Sequence, residues 1–331
     1  MITQQAKPQY VKTATEILAI GTKETPMLVE NLLQKKGMAS LTGSSDGGKS
    51  FLGLFLASIL CGDKDKIFGR KINRNTGGVI VVCTEDSAED ICVRLTPFSV
   101  ENKIDGEKLR FIFETDRLSD KLRKELERQP ADLIIMDTFG DLFSGNLNDS
   151  IGVRKFFNPF KKLAEEFNCL FLFNHHIGKA KEANSAPNKN DVLGSQAIES
   201  ACRTVLMLRK KEDGQRILTV VKGNHLSEKY KNKGIVLSFD VDKGFEATGD
   251  TVAYSDNTQA PALPNTIIEE VVSLYSELKS YQKVSDAMKK KGHKKIDKNK
   301  VGKILKGANP SVTPPTENDG LTEEKQSSVA E

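Results

Sequence analysis

Gly43-Ser44-Ser45-Asp46-Gly47-Gly48-Lys49-Ser50 fits the pattern G-x-x-x-x-G-K-[ST] at every fixed position. These residue types suit phosphate binding. Glycines let backbone N–H groups turn inward, a helix N-terminus adds a positive dipole end, Lys49 neutralises the β and γ oxygens, and Ser50 offers a hydroxyl to Mg²⁺. An apolar run, Met38–Thr42, precedes the motif and an apolar helical stretch, Phe51–Leu60, follows it, which is the setting such a phosphate cradle requires.

ATP held with Mg²⁺ needs a second metal-side oxygen. Leu133-Ile134-Ile135-Met136-Asp137 is an apolar run ending in an acid, which predicts Asp137 at the carboxyl edge of a sheet beside Ser50. Thr138 follows, where many P-loop ATPases carry a glutamate base, so the carboxylate that orients water must come from elsewhere. The run Gly78–Cys83 ends in Thr84-Glu85-Asp86, just beyond the edge where functional groups of open α/β sheets collect. Glu85 is the candidate base; for Asp86 the main expected role is to cap the helix that follows.

Positioning these residues requires strands that alternate with helices. Strand-length apolar runs at Met38–Thr42, Gly78–Cys83, Leu109–Phe113, Leu133–Met136 and Leu170–Phe173 are separated by helical periodicity, as in Leu118–Leu126 and Val153–Phe167. That pattern predicts an α/β fold with a mostly parallel sheet. After Ala201 the spacing tightens to Arg203–Leu208, Ile217–Val221 and Ile235–Phe239, which predicts antiparallel strands extending it.

With Asn174-His175-His176-Ile177-Gly178-Lys179 and Gly194-Ser195-Gln196-Ala197 added, the arrangement over residues 15–245 resembles the RecA-fold ATPases. It is more closely similar to the plasmid RepA-type hexameric helicases. The resemblance implies a RecA-like P-loop core, with Glu85 as base and His176, or alternatively His175, sensing the γ-phosphate. It further implies Arg203 as an arginine finger reaching a neighbouring subunit, in a homo-oligomer of hexameric type with single-stranded DNA in its channel. Lys222-Gly223-Asn224 departs from the K-x-R element of replicative helicases, because Asn224 stands where an Arg would be. Ala180–Val192 resembles the channel loop, with Lys179, Lys181 and Lys189 available to phosphates and no aromatic for stacking.

Charge divides the chain further. Residues 1–270 carry 37 basic and 37 acidic side chains, 271–310 carry 11 Lys against three acids, and 311–331 carry one Lys against five acids. The expected organisation is an ATPase domain over 1–248, a linker over 249–264, a basic module over 265–307 and a disordered acidic tail over 308–331. The module reads as three short helices in a helix-turn-helix plan, with Lys298, Asn299, Lys300 and Lys303 on the recognition helix. Eleven lysines without an arginine favour phosphate contact with duplex DNA over base readout.

Composition excludes other classes. Of 331 residues, 38% are hydrophobic and 25 are glycine, which is ordinary for a globular protein. The longest apolar run, Phe51–Cys61, is well short of the ~18–20 residues of a membrane span, and the first thirty residues show no continuous apolar segment. The expectation is a cytoplasmic protein without a membrane partner. Five scattered cysteines without C-x-x-C spacing disfavour a disulfide scaffold or a structural zinc site. The sequence thus points to a ring-forming, DNA-dependent ATPase, a helicase in replication of a plasmid or mobile element. The alternative is a DNA-bound RecA/RadA-like ATPase that does not unwind.

Overall fold

The computed structural model describes residues 11–22, 24–146, 149–176, 196–227, 230–231, 233–253, 265–293 and 296–308. The expected channel loop Ala180–Val192, Gly194-Ser195 and the acidic tail from residue 309 onward lie outside the described residues. Near residue 257 the chain divides into two compact units.

The first unit is built on a nine-stranded sheet. In chain order its strands are β1 (Gly37–Gly43), β2 (Val79–Cys83), β3 (Leu109–Ile112), β4 (Leu133–Asp137), β5 (Leu170–His176), β6 (Thr204–Lys210), β7 (Arg216–Gly223), β8 (Lys233–Asp240) and β9 (Gly244–Ala253). The spatial order is β9-β8-β7-β6-β1-β5-β4-β2-β3. From β6 to β3 every pairing is parallel, and from β6 to β9 every pairing is antiparallel. The central strands carry runs such as Val-Ile-Val-Val-Cys, buried along their whole length, because helices cover both faces.

One face packs against α1 (Lys49–Leu60) and α2 (Ala88–Glu101), and the other against α3 (Leu118–Arg128), the short α4 (Phe139–Leu142), α5 (Ser150–Phe167) and α6 (Gln196–Ala201). Ten of the twelve residues of α1 are buried, as expected for a helix apolar on all sides. The parallel α/β core with antiparallel extension agrees with the sequence reading, but β9 does not. Composition assigns residues 249–253 to the linker, and instead they continue that strand. An edge strand buries only one side, so its apolar signal thins to residues such as Phe245, and Thr, Glu and Asp fill the rest.

The second unit holds α7 (Asn265–Leu278), α8 (Tyr281–Lys290) and α9 (Lys298–Ala308) around Val271, Val284, Met288, Ile296, Val301 and Leu305. Gly292, at φ 95°, turns the chain after α8. Asp297 Oδ1 then accepts from Lys300 N at 2.8 Å and caps α9.

Candidate functional site

Strand β1 delivers the motif to the carboxyl edge of the sheet. Gly43 passes so close to β6 that a Cβ there would lie 2.4 Å from the Leu208 carbonyl oxygen. Gly48 takes φ 90° as the cap from which α1 starts, a conformation glycine adopts without strain. Between them Ser45–Gly47 form one 3-10 turn. Lys49 is 3% exposed, and its Nζ donates to the carbonyls of Gly43 at 3.0 Å and Ser44 at 2.5 Å.

Strand alternation decides what faces this lysine. Along β5, Leu172, Asn174 and His176 share the α1 face, and Phe171, Phe173 and His175 share the other. His176 Nδ1 lies 3.1 Å from Lys49 Nζ and is therefore the acceptor, on a neutral ring. Burial first, then the Lys49 charge, holds its pKa below the usual histidine value. His175 packs edge-on against Phe139, with ring centroids 5.6 Å apart, and burial pushes its pKa down to about 4. Of the two histidines, only His176 faces the motif.

Ser50, Cys83, Glu85, Asp86, Asp137 and Thr138 line one narrow cleft beside it. Burial raises the Asp137 carboxyl above its ordinary range, and the facing Asn174 amide and Ser50 hydroxyl pull it partly back. Asp137 Oδ1 and both Asn174 amide atoms are buried without a completed hydrogen bond. An unpaired carboxylate oxygen next to a hydroxyl is a hard-oxygen donor set, and these residues fit Mg²⁺. The Cys83 thiol is pushed up to about 12 by burial, so it is no nucleophile.

Glu85 is exposed on the loop after β2 and is hydrogen-bonded to a carboxylate absent from the sequence reading, Asp141 of α4. Partial burial, then Asp141, raises the Glu85 pKa, while the hydroxyls of Thr138 and Thr84 lower that of Asp141. One proton bridges the pair. Asp86 does not cap α2 as expected. Ser87 and Asp90 form the capping box, and Asp86 pairs with Arg94 at 2.5 Å.

Arg203 lies at the opposite end of the sheet. Its backbone N–H donates to Met38 O at the amino end of β1, and its exposed guanidinium lies 3.4 Å from His225 Nε2. From Met38 to Gly43 the strand runs about 16 Å. Arg203 therefore stays clear of the phosphate motif of its own chain.

A second residue that spacing did not reveal is Arg216, which opens β7. Only 6% exposed, it donates from Nε to Gly47 O at 2.9 Å and lies over the Phe239 ring at 4.9 Å. Its other hydrogen bonds go to the Gly214 and Gln215 carbonyls, and no carboxylate among the described residues balances it.

In the second unit Lys298 is exposed and Lys300 half-buried on α9. The side chains of Asn299 and Lys303 lie outside what is described. Lys291 is paired with Glu270 at 2.7 Å and Lys289 with Asp286 at 3.8 Å, so part of the basic charge is already internally balanced.

The sequence model of the AAA domain family matches residues 5–182. Among solved structures, the ATPase domain of a helicase superposes with a TM-score of 0.53 at 12% identity, covering 70% of this chain and 95% of that one. This likeness is one of fold. No curated protein matches the sequence.

Proposed function

The chain belongs to the AAA domain family, and from that membership we propose that it is a ring-forming, DNA-dependent ATPase of RepA-type helicase character, serving replication of a plasmid or mobile element. Membership itself makes it a P-loop ATPase. The observation that carries the finer reading is the meeting of Lys49, Ser50, Glu85, Asp137 and His176, brought from four strand ends to one edge of the sheet.

In this reading Lys49 gives up the Gly43 and Ser44 carbonyls to bind phosphate oxygens, together with backbone N–H groups of residues 44 to 50. Ser50 and Asp137 would hold Mg²⁺, which supplies charge stabilisation to the phosphoryl oxygens when bound. Glu85, whose affinity for a proton exceeds that of a free glutamate, orients water for in-line attack. His176, held neutral against Lys49, is placed to register the γ-phosphate. Arg203 is offered to the phosphates of a neighbouring chain, and Lys298, Asn299, Lys300 and Lys303 to the DNA backbone.

The test is ATPase rate per chain against protein concentration, with and without single-stranded DNA. The rate should climb with concentration, by at least about tenfold given what such fingers contribute, and DNA should raise it further. A rate per chain that stays flat on dilution removes the trans finger and with it the ring. Lys49→Ala should abolish turnover, and Glu85→Gln should leave ATP bound but uncut. Strand displacement decides whether the ATPase unwinds; DNA-stimulated hydrolysis without displacement would make it a RecA/RadA-like mediator.

A further inference from the structure

Asp141 has no part in the reaction as set out above, yet it is the most constrained carboxylate at the site. It stands in α4, one helical turn beyond Asp137. Its Oδ2 accepts from Thr84 Oγ1 and Thr138 Oγ1, each at 2.7 Å. Thr84 is itself fixed, since Thr138 N donates to its hydroxyl oxygen at 2.9 Å and its own backbone N–H donates to Asp137 O at 2.8 Å.

The helix beneath is equally constrained. Phe139 is fully buried, its ring lies parallel to Phe157 at 5.4 Å, and His175 meets it edge-on. Glu85 is the opposite case: an exposed side chain on a loop, with three torsions free to wander unless something holds it. What holds it is Asp141.

We propose that Asp141 is a positioning residue, which, pinned by the Thr84 and Thr138 hydroxyls, holds the Glu85 carboxyl at the mouth of the cleft in the orientation that meets the attacking water. The proposal rests on the reading of Glu85 as the base. It explains why two threonines flank the strand ends of β2 and β4: their hydroxyls fix the aspartate that fixes the glutamate. Orientation is the larger part of what a protein contributes to phosphoryl transfer, so a glutamate free to wander loses rate without losing nucleotide.

The experiment is a double-mutant cycle on the full chain, reading kcat and nucleotide affinity separately. Asp141→Ala should lower kcat by about 10- to 100-fold with nucleotide affinity unchanged. Asp141→Asn, which keeps an acceptor for both threonines and turns an N–H toward Glu85, should recover most of that loss. Thr138→Val, removing one anchor, should fall between them. In a Glu85→Ala background, Asp141→Ala should change nothing further.

An equal loss in both backgrounds, an Asn variant as slow as the Ala variant, or nucleotide affinity falling in step with kcat would each overturn the positioning role and leave Glu85 as base. A normal rate for Glu85→Ala alone would overturn the base assignment and, with it, any action of Asp141 through that residue.

Discussion

His175 and His176 are neighbours in sequence with opposite surroundings, and the difference has a measurable consequence. His176 faces Lys49, where a second proton would set two cations 3.1 Å apart. His175 is buried against Phe139, with Nε2 unpartnered and its pKa pushed from 6.5 to about 4. The folded value lies below the unfolded one, so on acidification the unfolded chain takes up the proton first. The stability that follows from keeping His175 neutral is complete above pH 6.5 and declines as pH falls toward 4. At pH 5 this amounts to about 2 kcal/mol. His175→Gln removes the titration, so its unfolding free energy should fall less between pH 7 and pH 5 than that of the parent chain. Equal declines would mean that the ring is solvated. Neither histidine's assignment needed the structure: alternation along an apolar strand already puts the two rings on opposite faces.

At the scale of elements, what is legible in the sequence follows from local signals. The phosphate loop declares itself through glycine spacing between an apolar strand and an apolar helix, and Asp137 through the run that ends in it. Strand β9 escapes such reading because an edge strand carries half an apolar pattern. Asp141 is visible as a carboxylate one turn past a strand end, though nothing in its spacing ties it to Glu85. Arg216 offers no signal: it follows a Gly-Gln turn, and its contact with Gly47 closes 169 residues of chain. That contact brings an unbalanced cation against the back of the phosphate loop. Burying a charge without a counter-ion costs stability, and replacing it by an apolar side chain of similar length is often neutral or stabilising. Arg216→Met should therefore leave the melting temperature unchanged or raised, while weakening ATP binding by about tenfold, the worth of one charge-assisted interaction. Lower stability with intact ATP binding would mean that the guanidinium serves packing alone.

Over the whole molecule, charge is segregated by sequence. A neutral body precedes 11 lysines with three acids, and those precede five acids with one lysine. Lysines binding phosphates release counterions, so affinity for duplex DNA should fall steeply with salt. Deleting Ser311–Glu331 should tighten binding at low salt and matter little above physiological ionic strength, where the screening length is about 8 Å or less; unchanged low-salt affinity would show that the acids do not compete with DNA. The sheet of the first unit carries a consequence of a different kind. Its phosphate loop stands at the carboxyl end of β1 and Arg203 beside the amino end, so a chain donates in one direction and receives from the other. With Arg203 acting on its neighbour, chains in an open row always include one whose site receives no finger and one whose finger reaches no site. Closing the row removes both defects at once. The gain from closure is a fixed single site, so it weighs most in small assemblies and fades as the row lengthens, which gives this protein a functional reason to close early.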